Sequence, residues 1–339
     1  AATAAGAAAE WHEVRLGYEH CTAEEVLNSV LPEGVEAPRS FEQAGHVAHL
    51  NLREELLPYK AVVAEVLLDK NPSLRTIVNK TGAIHKTFRT ADLEVLAGDE
   101  NLDVEVRESG CLFRFNYAEV YWNSRLQMEH GRVIDAISTD EIVADVMAGV
   151  GPFAVPLAKK GCTVYANDLN PACFRGLLAN GKRNKCDKTL HAHNMDGRAF
   201  VAKLVHDGRG FQRVLMNLPA TALEFLDVFR GLWRGREDVV AAALPTVHCY
   251  CFSNADDLEK DVFDRAEAIM GYDVRGLPGA SARVVRDVAP KKMMMCLTFK
   301  VPLELALMAP DGDGEGKPAP EPAAKRARIE EALESEDDQ

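Results

Sequence analysis

The sequence predicts an α/β protein in which a doubly wound domain follows a smaller α/β domain. Between Ile142 and Pro302, short apolar segments alternate with helical segments, which is typical of a parallel sheet covered by helices. A glycine turn, Gly149 to Gly151, follows the first of these apolar segments. Parallel sheets of this kind bind nucleotides at such a turn, so the fold class already indicates where a site would lie.

The smaller domain is predicted from two patterns ahead of the glycine turn. Residues 46–71 indicate a strand followed by a helix, and residues 103–122 alternate apolar and polar side chains around Glu108-Ser109-Gly110, as a hairpin does. Residues beyond Asp311 are rich in Gly, Pro, Ala and charge, so they cannot offset the entropy of ordering. We therefore expect a remnant of a further module at 1–39, the smaller domain at 40–138, the doubly wound domain at 139–309 and a disordered acidic tail at 310–339.

The elements of the doubly wound domain follow from its apolar segments. Five of them are short enough to be buried strands, and the longer segments between them have helical periodicity. The last two apolar segments flank a proline and suggest an antiparallel pair. The predicted strands are residues 142–147, 162–168, 189–194, 213–217, 246–253, 282–290 and 292–302, and the clearest predicted helices are 170–184 and 222–233.

Composition limits the classes of partner. The formal net charge is -13, which argues against indiscriminate nucleic-acid binding because phosphate contacts need a local excess of Lys and Arg. Such excesses remain locally, so a structured polyanion could still dock. The basic sets are Lys80, Lys86 and Arg89; Arg125 and Arg132; and Arg283, Arg286, Lys291 and Lys292.

Cysteine usage and hydropathy exclude further classes. The 8 cysteines are scattered without a C-x-x-C pair, which indicates a reduced intracellular setting and predicts no metal site. Cys249 and Cys251 alternate within one predicted strand, so we expect both in the core. No apolar run reaches the length of a membrane span, and we expect no membrane partner.

The glycine turn fits two cofactors. Gly149, Gly151 and Ala154 match the dinucleotide fingerprint, but a site for S-adenosylmethionine would have the same glycines. Pro152 removes a backbone N–H where a pyrophosphate would need donors. This favours S-adenosylmethionine, which carries a sulfonium cation and no phosphate. A dehydrogenase would also need a hydride-transfer residue, and the sequence offers no candidate.

Polar residues at the ends of successive predicted strands strengthen the nucleotide-site hypothesis. Asp168 follows the second strand, where an acid can hold ribose hydroxyls. Asp196 and Gly197 follow the third strand, where a carboxyl can reach the adenine amino group and a glycine leaves room for the ring. Asn217 and Pro219 follow the fourth. Structural alternatives stay open: either aspartate could cap a helix, and Asn217 could be a turn residue.

The chain resembles one family through both predicted domains in order. The segments "GHVAHLNLREELLPYK", "VYWNSRLQMEHGR", "DVMAGVGPF", "VYANDLNP", "NMDGRAF" and "MNLPATALEFLDVF" are similar to those of the eukaryotic and archaeal tRNA (guanine-N1)-methyltransferases, which modify the guanosine just 3′ of the anticodon, at position 37. The resemblance implies a Rossmann-like class I methyltransferase domain, S-adenosylmethionine as cofactor, and an RNA-positioning role for residues 40–138.

The resemblance also implies the catalytic residues. Guanine N1 must lose a proton as the methyl arrives, and the family's general base falls on Glu129 in "QMEHGR". Arg89 in "KTFR" matches the arginine that contacts guanine O6. Asn217, followed by Pro219, would orient the base. From the residues alone, Glu129 and Arg125 could equally form an ion pair on a helix surface, and Arg89 could be solvated.

The remaining implied contacts concern cofactor and RNA. Arg125 and Arg132 would hold RNA phosphates or base edges, and Tyr121 is an aromatic residue beside the site. The residues implied in cofactor binding are Tyr121, His130, Gly149, Gly151, Asp168, Leu169, Asp196, Gly197 and Asn217.

Two rival functions of the same fold stay open. One is transfer of the cofactor's aminocarboxypropyl group to a modified guanosine at the same tRNA position, although that family carries a "GN-x-x-E-K" type segment where this chain has "NSRLQMEH". The other is tRNA binding without catalysis. We also expect a monomer in the nucleus, the cytoplasm and the mitochondrial matrix, and "KRAR" at residues 325–328 is either a nuclear-import signal or a solvated charge run.

Overall fold

The computed structural model describes residues 12–13, 16–82, 92–240 and 244–309. Within these ranges the chain forms two compact units. The first extends to Thr81 and also contains Leu93–Asn101, and the second contains Gly82, Asp92 and the residues from Leu102 onward. The predicted tail, residues 310–339, lies outside the described residues.

The first unit is a four-stranded sheet with two α-helices. The strand order is β1-β2-β3-β4, in which β2 and β3 are parallel and the outer pairs are antiparallel. The strand followed by a helix that residues 46–71 predict is therefore confirmed, with a 3-10 helix at Glu54–Tyr59 leading into α2. The elements are α1 (Ala23–Val30), β1 (Glu42–Ala44), β2 (Val47–Leu50), α2 (Lys60–Lys70), β3 (Thr76–Lys80) and β4 (Leu93–Gly98).

Residues 16–39 pack into this first unit, which differs from the expected separate module at 1–39. Helix α1 begins at a capping box, in which Thr22 and Glu25 satisfy each other's backbone N–H groups. Its Leu27 and the following Leu31 are buried in one cluster with Leu50 of β2. Residues 16–39 therefore share the core of the first unit. The local sequence pattern around α1 does not reveal this packing.

The second unit is built on a seven-stranded sheet with the order β12-β13-β11-β10-β7-β8-β9. The strands β7 to β11 are parallel, whereas β13 runs antiparallel to β11 and to β12. The doubly wound α/β prediction and the predicted antiparallel pair are confirmed. The strands are β7 (Ile142–Asp145), β8 (Thr163–Asn167), β9 (Leu190–His193), β10 (Arg213–Met216), β11 (Thr246–Ser253), β12 (Ser281–Ala289) and β13 (Lys292–Lys300).

Helices connect these strands, and their ends carry the expected capping residues. Asn170 caps α5 with Pro171 in its first turn, and Asp196 caps α6. The predicted helix at 222–233 is instead a 3-10 helix at Ala222–Phe229, because Leu223, Leu226 and Phe229 bury one face at a spacing of three residues. The α-helices are α3 (Gln127–Ala136), α4 (Ala154–Lys160), α5 (Pro171–Arg183), α6 (Gly197–His206), α7 (Glu237–Val240), α8 (Leu258–Met270) and α9 (Leu303–Ala306).

The predicted hairpin is present as β5 (Asp103–Glu108) and β6 (Cys111–Asn116), but it belongs to the second unit. Asn180 Oδ1 accepts a hydrogen bond of 2.9 Å from the Arg114 N–H. Asn184 both accepts from the Leu112 N–H and donates to the Leu112 carbonyl. A side chain of α5 and the side chain at its C-cap thus both form hydrogen bonds with the backbone of β6. The division between units therefore falls near residue 102 rather than at the expected 138.

Strand β11 has two chemically different faces. Val247, Cys249 and Cys251 are buried in the apolar cluster of the second unit, as the alternation of the two cysteines predicted. The intervening His248 and Tyr250 lie on the opposite face. Burial lowers the pKa of His248 to about 4, with further contributions from Arg213 and Arg132. The core side of this strand is therefore apolar, and the other side carries polar groups.

A buried carboxyl ends strand β7. Asp145 is fully buried, and neither of its oxygens has a hydrogen-bond partner among the described residues. Burial raises the pKa of the Asp145 carboxyl well above its ordinary value, and the nearby Asp168 carboxylate raises it further. Asp145 is thus favoured in its neutral form.

No α-helix within the described ranges is long and apolar enough to span a membrane. Over the same ranges, no group of three or more His, Cys, Asp or Glu side chains is arranged to hold a metal ion.

Removing the Asn180 side chain is expected to destabilise the second unit. Asn180→Ala leaves the Arg114 N–H without its partner and should lower the free energy of unfolding by about 1–3 kcal/mol. Urea denaturation measures this value, with Lys182→Ala, an exposed change on the same helix, as the control. Equal stability of the two variants would contradict the role assigned to Asn180.

Replacing Asp145 by Asn should change how stability depends on pH. The pKa of Asp145 is higher in the folded protein than in the unfolded chain. The contribution of this carboxyl to the free energy of unfolding is therefore complete below the unfolded pKa of about 3.9, and it is lost as pH rises towards the folded pKa. Asparagine does not titrate. The stability of Asp145→Asn relative to wild type should therefore increase as pH rises above about 4, by up to about 1.4 kcal/mol per pH unit. Urea denaturation across this range tests it, and a difference independent of pH would refute the buried-carboxyl explanation.

Candidate active site

A cleft lies at the carboxyl ends of the parallel strands β7 to β10, where a doubly wound sheet binds its ligand. Its volume, with the open solvent at its mouth included, is about 780 Å³. Most of its lining follows directly after a strand. The lining residues are Tyr121, Val146, Met147, Gly149, Asn167, Asp168, Leu169, Cys173, Asp196, Gly197, Asn217, Leu218, Pro219 and Phe225.

The two glycines of the turn have different tasks. Gly149 has φ +58°, lines the cleft, and donates its N–H to Asp168 Oδ2 at 2.8 Å. Gly151 has φ +98°, and a Cβ there would come within 2.6 Å of a Val155 methyl and 2.8 Å of a Leu177 methyl. Gly151 is not among the lining residues. Its predicted cofactor contact therefore finds no support, since close packing of α4 and α5 already requires glycine there.

Asp168 is fixed by the turn it faces. Its Oδ1 accepts from the Asn170 N–H and its Oδ2 from the Gly149 N–H, both at 2.8 Å. Burial raises the pKa of Asp168, although these hydrogen bonds oppose the rise. The cap of α5 is Asn170, so the alternative that Asp168 caps this helix is wrong. The Cys173 thiol is a third donor to this carboxylate, which leaves about one of its four lone-pair sites for a hydroxyl group.

Asp196 combines a structural contact with a place in the cleft. Its Oδ1 accepts from the N–H groups of Arg198 and Ala199 at 2.9 and 3.2 Å, so the capping alternative is confirmed for this residue. The adjacent Gly197 also lines the cleft, and a Cβ there would approach a Val146 methyl to 2.9 Å and the Phe225 ring to 3.3 Å. A side chain at this position would fill space between the apolar walls.

Asn217 lines the cleft and has an unsatisfied acceptor. Its Oδ1 is buried and accepts no hydrogen bond from any described residue, which costs free energy unless a ligand donates to it. The following turn is fixed, because the Pro219 carbonyl accepts from the Phe252 N–H at 3.0 Å. The geometry suits an oriented acceptor for an N–H of a bound ligand.

Two exposed apolar side chains also line the cleft. Tyr121 and Leu169 are 44% and 45% exposed. The Tyr121 hydroxyl accepts a hydrogen bond of 3.2 Å from Asn123. Exposed apolar side chains beside a concave site are available to cover a flat ligand.

Glu129 lies on α3 outside the residues that line the cleft. It is only 8% exposed, so it does not lie on an exposed helix surface, and its ion pair within α3 is with Arg132. Arg132 donates to both of its oxygens at 3.0 and 2.9 Å, Tyr250 donates to Oε1 at 2.7 Å, and Arg283 donates to Oε2. Burial alone would raise the pKa of Glu129, but these donors outweigh it and hold the pKa below its ordinary value.

His130 is also buried away from the lining residues. Its Nδ1 lies 2.5 Å from Glu108 Oε1, its ring meets Phe153 edge-on at 4.6 Å, and its Nε2 has no partner among the described residues. The geometry does not support the predicted cofactor contact of His130, because the ring connects α3 to the end of β5.

The predicted arginines differ in what the structure shows of them. Arg89 lies outside the described residues. Arg125 lies in the 3-10 turn Ser124–Leu126 before α3, where its N–H donates to Asn123 Oδ1 at 3.0 Å. Arg132 uses Nε and Nη2 on Glu129, so its predicted RNA contact is not supported in this arrangement. Its paired carboxylate raises the pKa of Arg132.

Sequence reasoning missed several residues of the site. Asn167 donates to the Val146 and Met195 carbonyls at 3.1 and 2.9 Å, and so joins the segments that follow β7 and β9. Asn167 lies at the end of a predicted strand, and this position could have identified it as a candidate site residue. Phe225 lines the cleft beneath the Arg198 guanidinium at 4.3 Å. Tyr250 and Arg283 are more than a hundred residues from Glu129, and no local pattern identifies them.

Sequence models of two domains match the chain. The TRM5/TYW2 methyltransferase domain matches residues 104–267, and the TYW2 N-terminal domain matches residues 23–101. The boundary between them agrees with the division between the two compact units.

Relatives of high sequence identity are named tRNA (guanine(37)-N(1))-methyltransferase. A tRNA (guanine(37)-N(1))-methyltransferase of Phytophthora infestans is 53% identical over 298 residues, covering 87% of this chain and 71% of the relative. The Danio rerio enzyme of the same name is 46% identical over 298 residues, covering 86% of this chain and 62% of the relative. The crystal structure of Trm5b from Pyrococcus abyssi is similar with a TM-score of 0.64 and 27% identity, covering 78% of this chain and 75% of that one.

These matches confirm the resemblance identified from the sequence, together with the Rossmann-like methyltransferase fold. The chain belongs to the tRNA (guanine(37)-N1)-methyltransferases and carries their TRM5/TYW2 methyltransferase domain from residue 104 to residue 267.

Proposed function

We propose that this chain transfers a methyl group from S-adenosylmethionine to N1 of the guanosine at position 37 of tRNA. One observation carries the proposal: the chain belongs to this family, and Asp168, Asp196 and Asn217 converge on a single cleft at the carboxyl ends of its parallel strands. The reaction needs a place for a nucleoside, an acceptor that orients guanine, and a base.

The residues of the cleft fit the nucleoside part of S-adenosylmethionine. The remaining lone-pair site of Asp168 suits a ribose hydroxyl, and the second oxygen of Asp196 suits the adenine amino group. The missing Cβ of Gly197 leaves space beside Phe225, where a flat ring would be enclosed. When bound, the cofactor supplies a methyl group activated by its sulfonium.

Asn217 and its turn orient the guanine. The unsatisfied Oδ1 of Asn217 accepts an N–H from the base, which removes the penalty of a buried acceptor without a partner. The hydrogen bond from Phe252 to the Pro219 carbonyl keeps this turn fixed. Tyr121 and Leu169 cover the bound molecules at the edge of the cleft. Arg89 contacts O6 and Arg125 contacts RNA; both assignments rest on the sequence resemblance.

Glu129 is the general base. Its depressed pKa keeps it ionised at neutral pH, so it can accept the N1 proton. In the observed arrangement, however, Arg132, Tyr250 and Arg283 all donate to this carboxylate. Acceptance of the proton therefore requires that one donor leaves. We assign Arg132 to Glu129 rather than to RNA.

A second candidate function is aminocarboxypropyl transfer from the same cofactor. It is favoured by the match of residues 23–101 to the TYW2 N-terminal domain. Two relatives that are 53% and 46% identical over 298 residues are named tRNA (guanine(37)-N(1))-methyltransferase, which supports methyl transfer. A monomeric state and action in the nucleus, cytoplasm and mitochondrial matrix remain parts of the proposal that rest on the resemblance alone.

Nucleoside analysis tests the function directly. A tRNA transcript with guanosine at position 37 is incubated with the chain and S-adenosylmethionine, digested, and examined by mass spectrometry. We expect one methyl group on N1 of that guanosine. A transcript with adenosine at the same position is the control. A product heavier by an aminocarboxypropyl group would favour the second function, and a bound cofactor without any product would reject both.

Glu129→Gln is expected to retain cofactor binding and to lower the single-turnover rate by about 10²–10⁴-fold, as for loss of a general base. Asp135→Asn, an exposed change on the same helix, should leave the rate unchanged. The residual rate of the glutamine variant should rise about tenfold per pH unit, since hydroxide must then remove the proton.

A purely structural role of Glu129 would give a different result. The rate would then fall in proportion to the loss of folded protein, measured by thermal unfolding, and it would not gain this dependence on pH.

A further inference from the structure

The carboxylate of Glu129 has no unoccupied acceptor position in this arrangement. A carboxylate offers about four lone-pair sites, and four hydrogen bonds reach Glu129. Two come from Arg132, one from Tyr250 and one from Arg283. A guanine N1–H can approach this carboxylate only if one of the four donors moves away.

The donors come from an ordered row on one face of the sheet. Tyr250 of β11 pairs in register with Cys296 of β13, and Cys296 pairs in register with Arg283 of β12. The three side chains therefore lie side by side across three strands. Helix α3 places Glu129 against this row, and Arg132 lies one turn further along the same helix.

Arg283 is the donor that can leave most readily. Tyr250 is fully buried within the sheet, and Arg132 would have to break two hydrogen bonds. Arg283 makes a single bond to Glu129 from the edge strand β12, and its side chain is 36% exposed. The register of β12 shifts just beyond it, between Val284 and Arg286, and such irregularities allow a side chain to be redirected.

Only part of the Arg283 guanidinium is satisfied. Its Nη2 donates to Glu129 and its Nη1 to the Val284 carbonyl at 3.3 Å, but its Nε is buried and has no hydrogen-bond partner among the described residues. Arg132, by contrast, engages Nε and Nη2 together. A phosphate accepts this pair of N–H groups side by side, so it would satisfy the Arg283 donor that Glu129 cannot.

We propose that Arg283 is a positioning residue that occupies Glu129 in the RNA-free protein and transfers to a phosphate of the bound RNA, which frees Glu129 for the guanine. The inference rests on the proposed function of Glu129. Release of Arg283 opens one acceptor position on Oε2. The N1–H bond of guanine then breaks, its proton passes to Glu129, and the N1 electron pair forms the bond to the methyl carbon while the S–C pair remains on sulfur.

Release of Arg283 would also make Glu129 a stronger base. With Arg283 in place, the pKa of Glu129 is held low, and a carboxylate of low pKa is a weak base. Departure of a cation raises the pKa of a neighbouring carboxylate. The charged and titratable groups that act on Glu129 from the elements around it are Arg132 of α3, His248 and Tyr250 of β11, Arg283 of β12 and Cys296 of β13.

Carboxyl NMR tests the transfer without turnover. In protein labelled with ¹³C at the glutamate side chains, the Glu129 signal is identified by its absence in Glu129→Gln and titrated with and without tRNA already methylated at position 37. In wild type, the tRNA should move the Glu129 titration to higher pH. In Arg283→Gln the titration should lie at higher pH from the start, and tRNA should move it little. Arg286→Gln, which removes a charge from the same strand, should behave as wild type.

A wild-type titration that tRNA leaves unchanged would overturn the inference, and this arm needs no substitution that could affect folding. Binding supplies a second measure. Loss of one phosphate contact in Arg283→Gln should lower the slope of log Kd against log salt by about 1. An unchanged slope would also reject the transfer of Arg283 to phosphate.

Activity separates this inference from the proposed function. In single-turnover methylation, the acid limb of the pH–rate profile should move to higher pH in Arg283→Gln, while Arg283→Lys, which retains the charge, should remain closer to wild type. If wild type methylates tRNA but the two profiles coincide, the role of Arg283 is wrong and the function stands. If wild type does not methylate at all, the proposed function itself fails.

Discussion

Parallel register is the constraint on which the site depends. Pairing of β7 with β8 and β10, and of β8 with β9, brings the ends of four strands to one edge of the sheet. Asn167 then joins the segments that leave β7 and β9 through hydrogen bonds to Val146 and Met195. Residues that are distant in sequence, such as Asp168 and Asn217, line one cleft because their strands end together.

Hydrogen-bond donors influence the charge state of three acidic groups, of which Asp145 and Glu129 are buried and Asp168 is partly buried. Asp145 has no donor among the described residues, and its pKa is raised. Asp168 receives two backbone N–H groups, and its pKa is raised despite them. Glu129 receives donors from two arginines and a tyrosine, and its pKa is lowered. The same burial therefore gives a neutral carboxyl in one place and a persistent carboxylate in another.

The parts of the site that the sequence predicted are those with a local signal. Asp168, Asp196, Gly197 and Asn217 each follow an apolar strand, and strand ends can be located from periodicity. Gly151 fitted a fingerprint, but its actual contact is with Leu177 of a helix that begins twenty residues later. The hairpin was predicted, but its membership of the second unit was not. The side chains that hold β6 there, Asn180 and Asn184, are 66 and 72 residues away in the sequence from the residues they bind. The pairing of Arg283 with Glu129 spans 154 residues and has no counterpart in any local pattern.

The edge strand β12 has one more consequence. An exposed strand edge offers unpaired backbone groups to other chains and is a common starting point for aggregation. Here β12 carries Arg283 and Arg286, and its register is irregular at two places. Charge and irregular pairing both discourage the addition of another strand. The irregular pairing that leaves Arg283 able to move thus also protects the sheet edge from other chains. A substitution that made the register of β12 regular would be expected to lower the solubility of the protein.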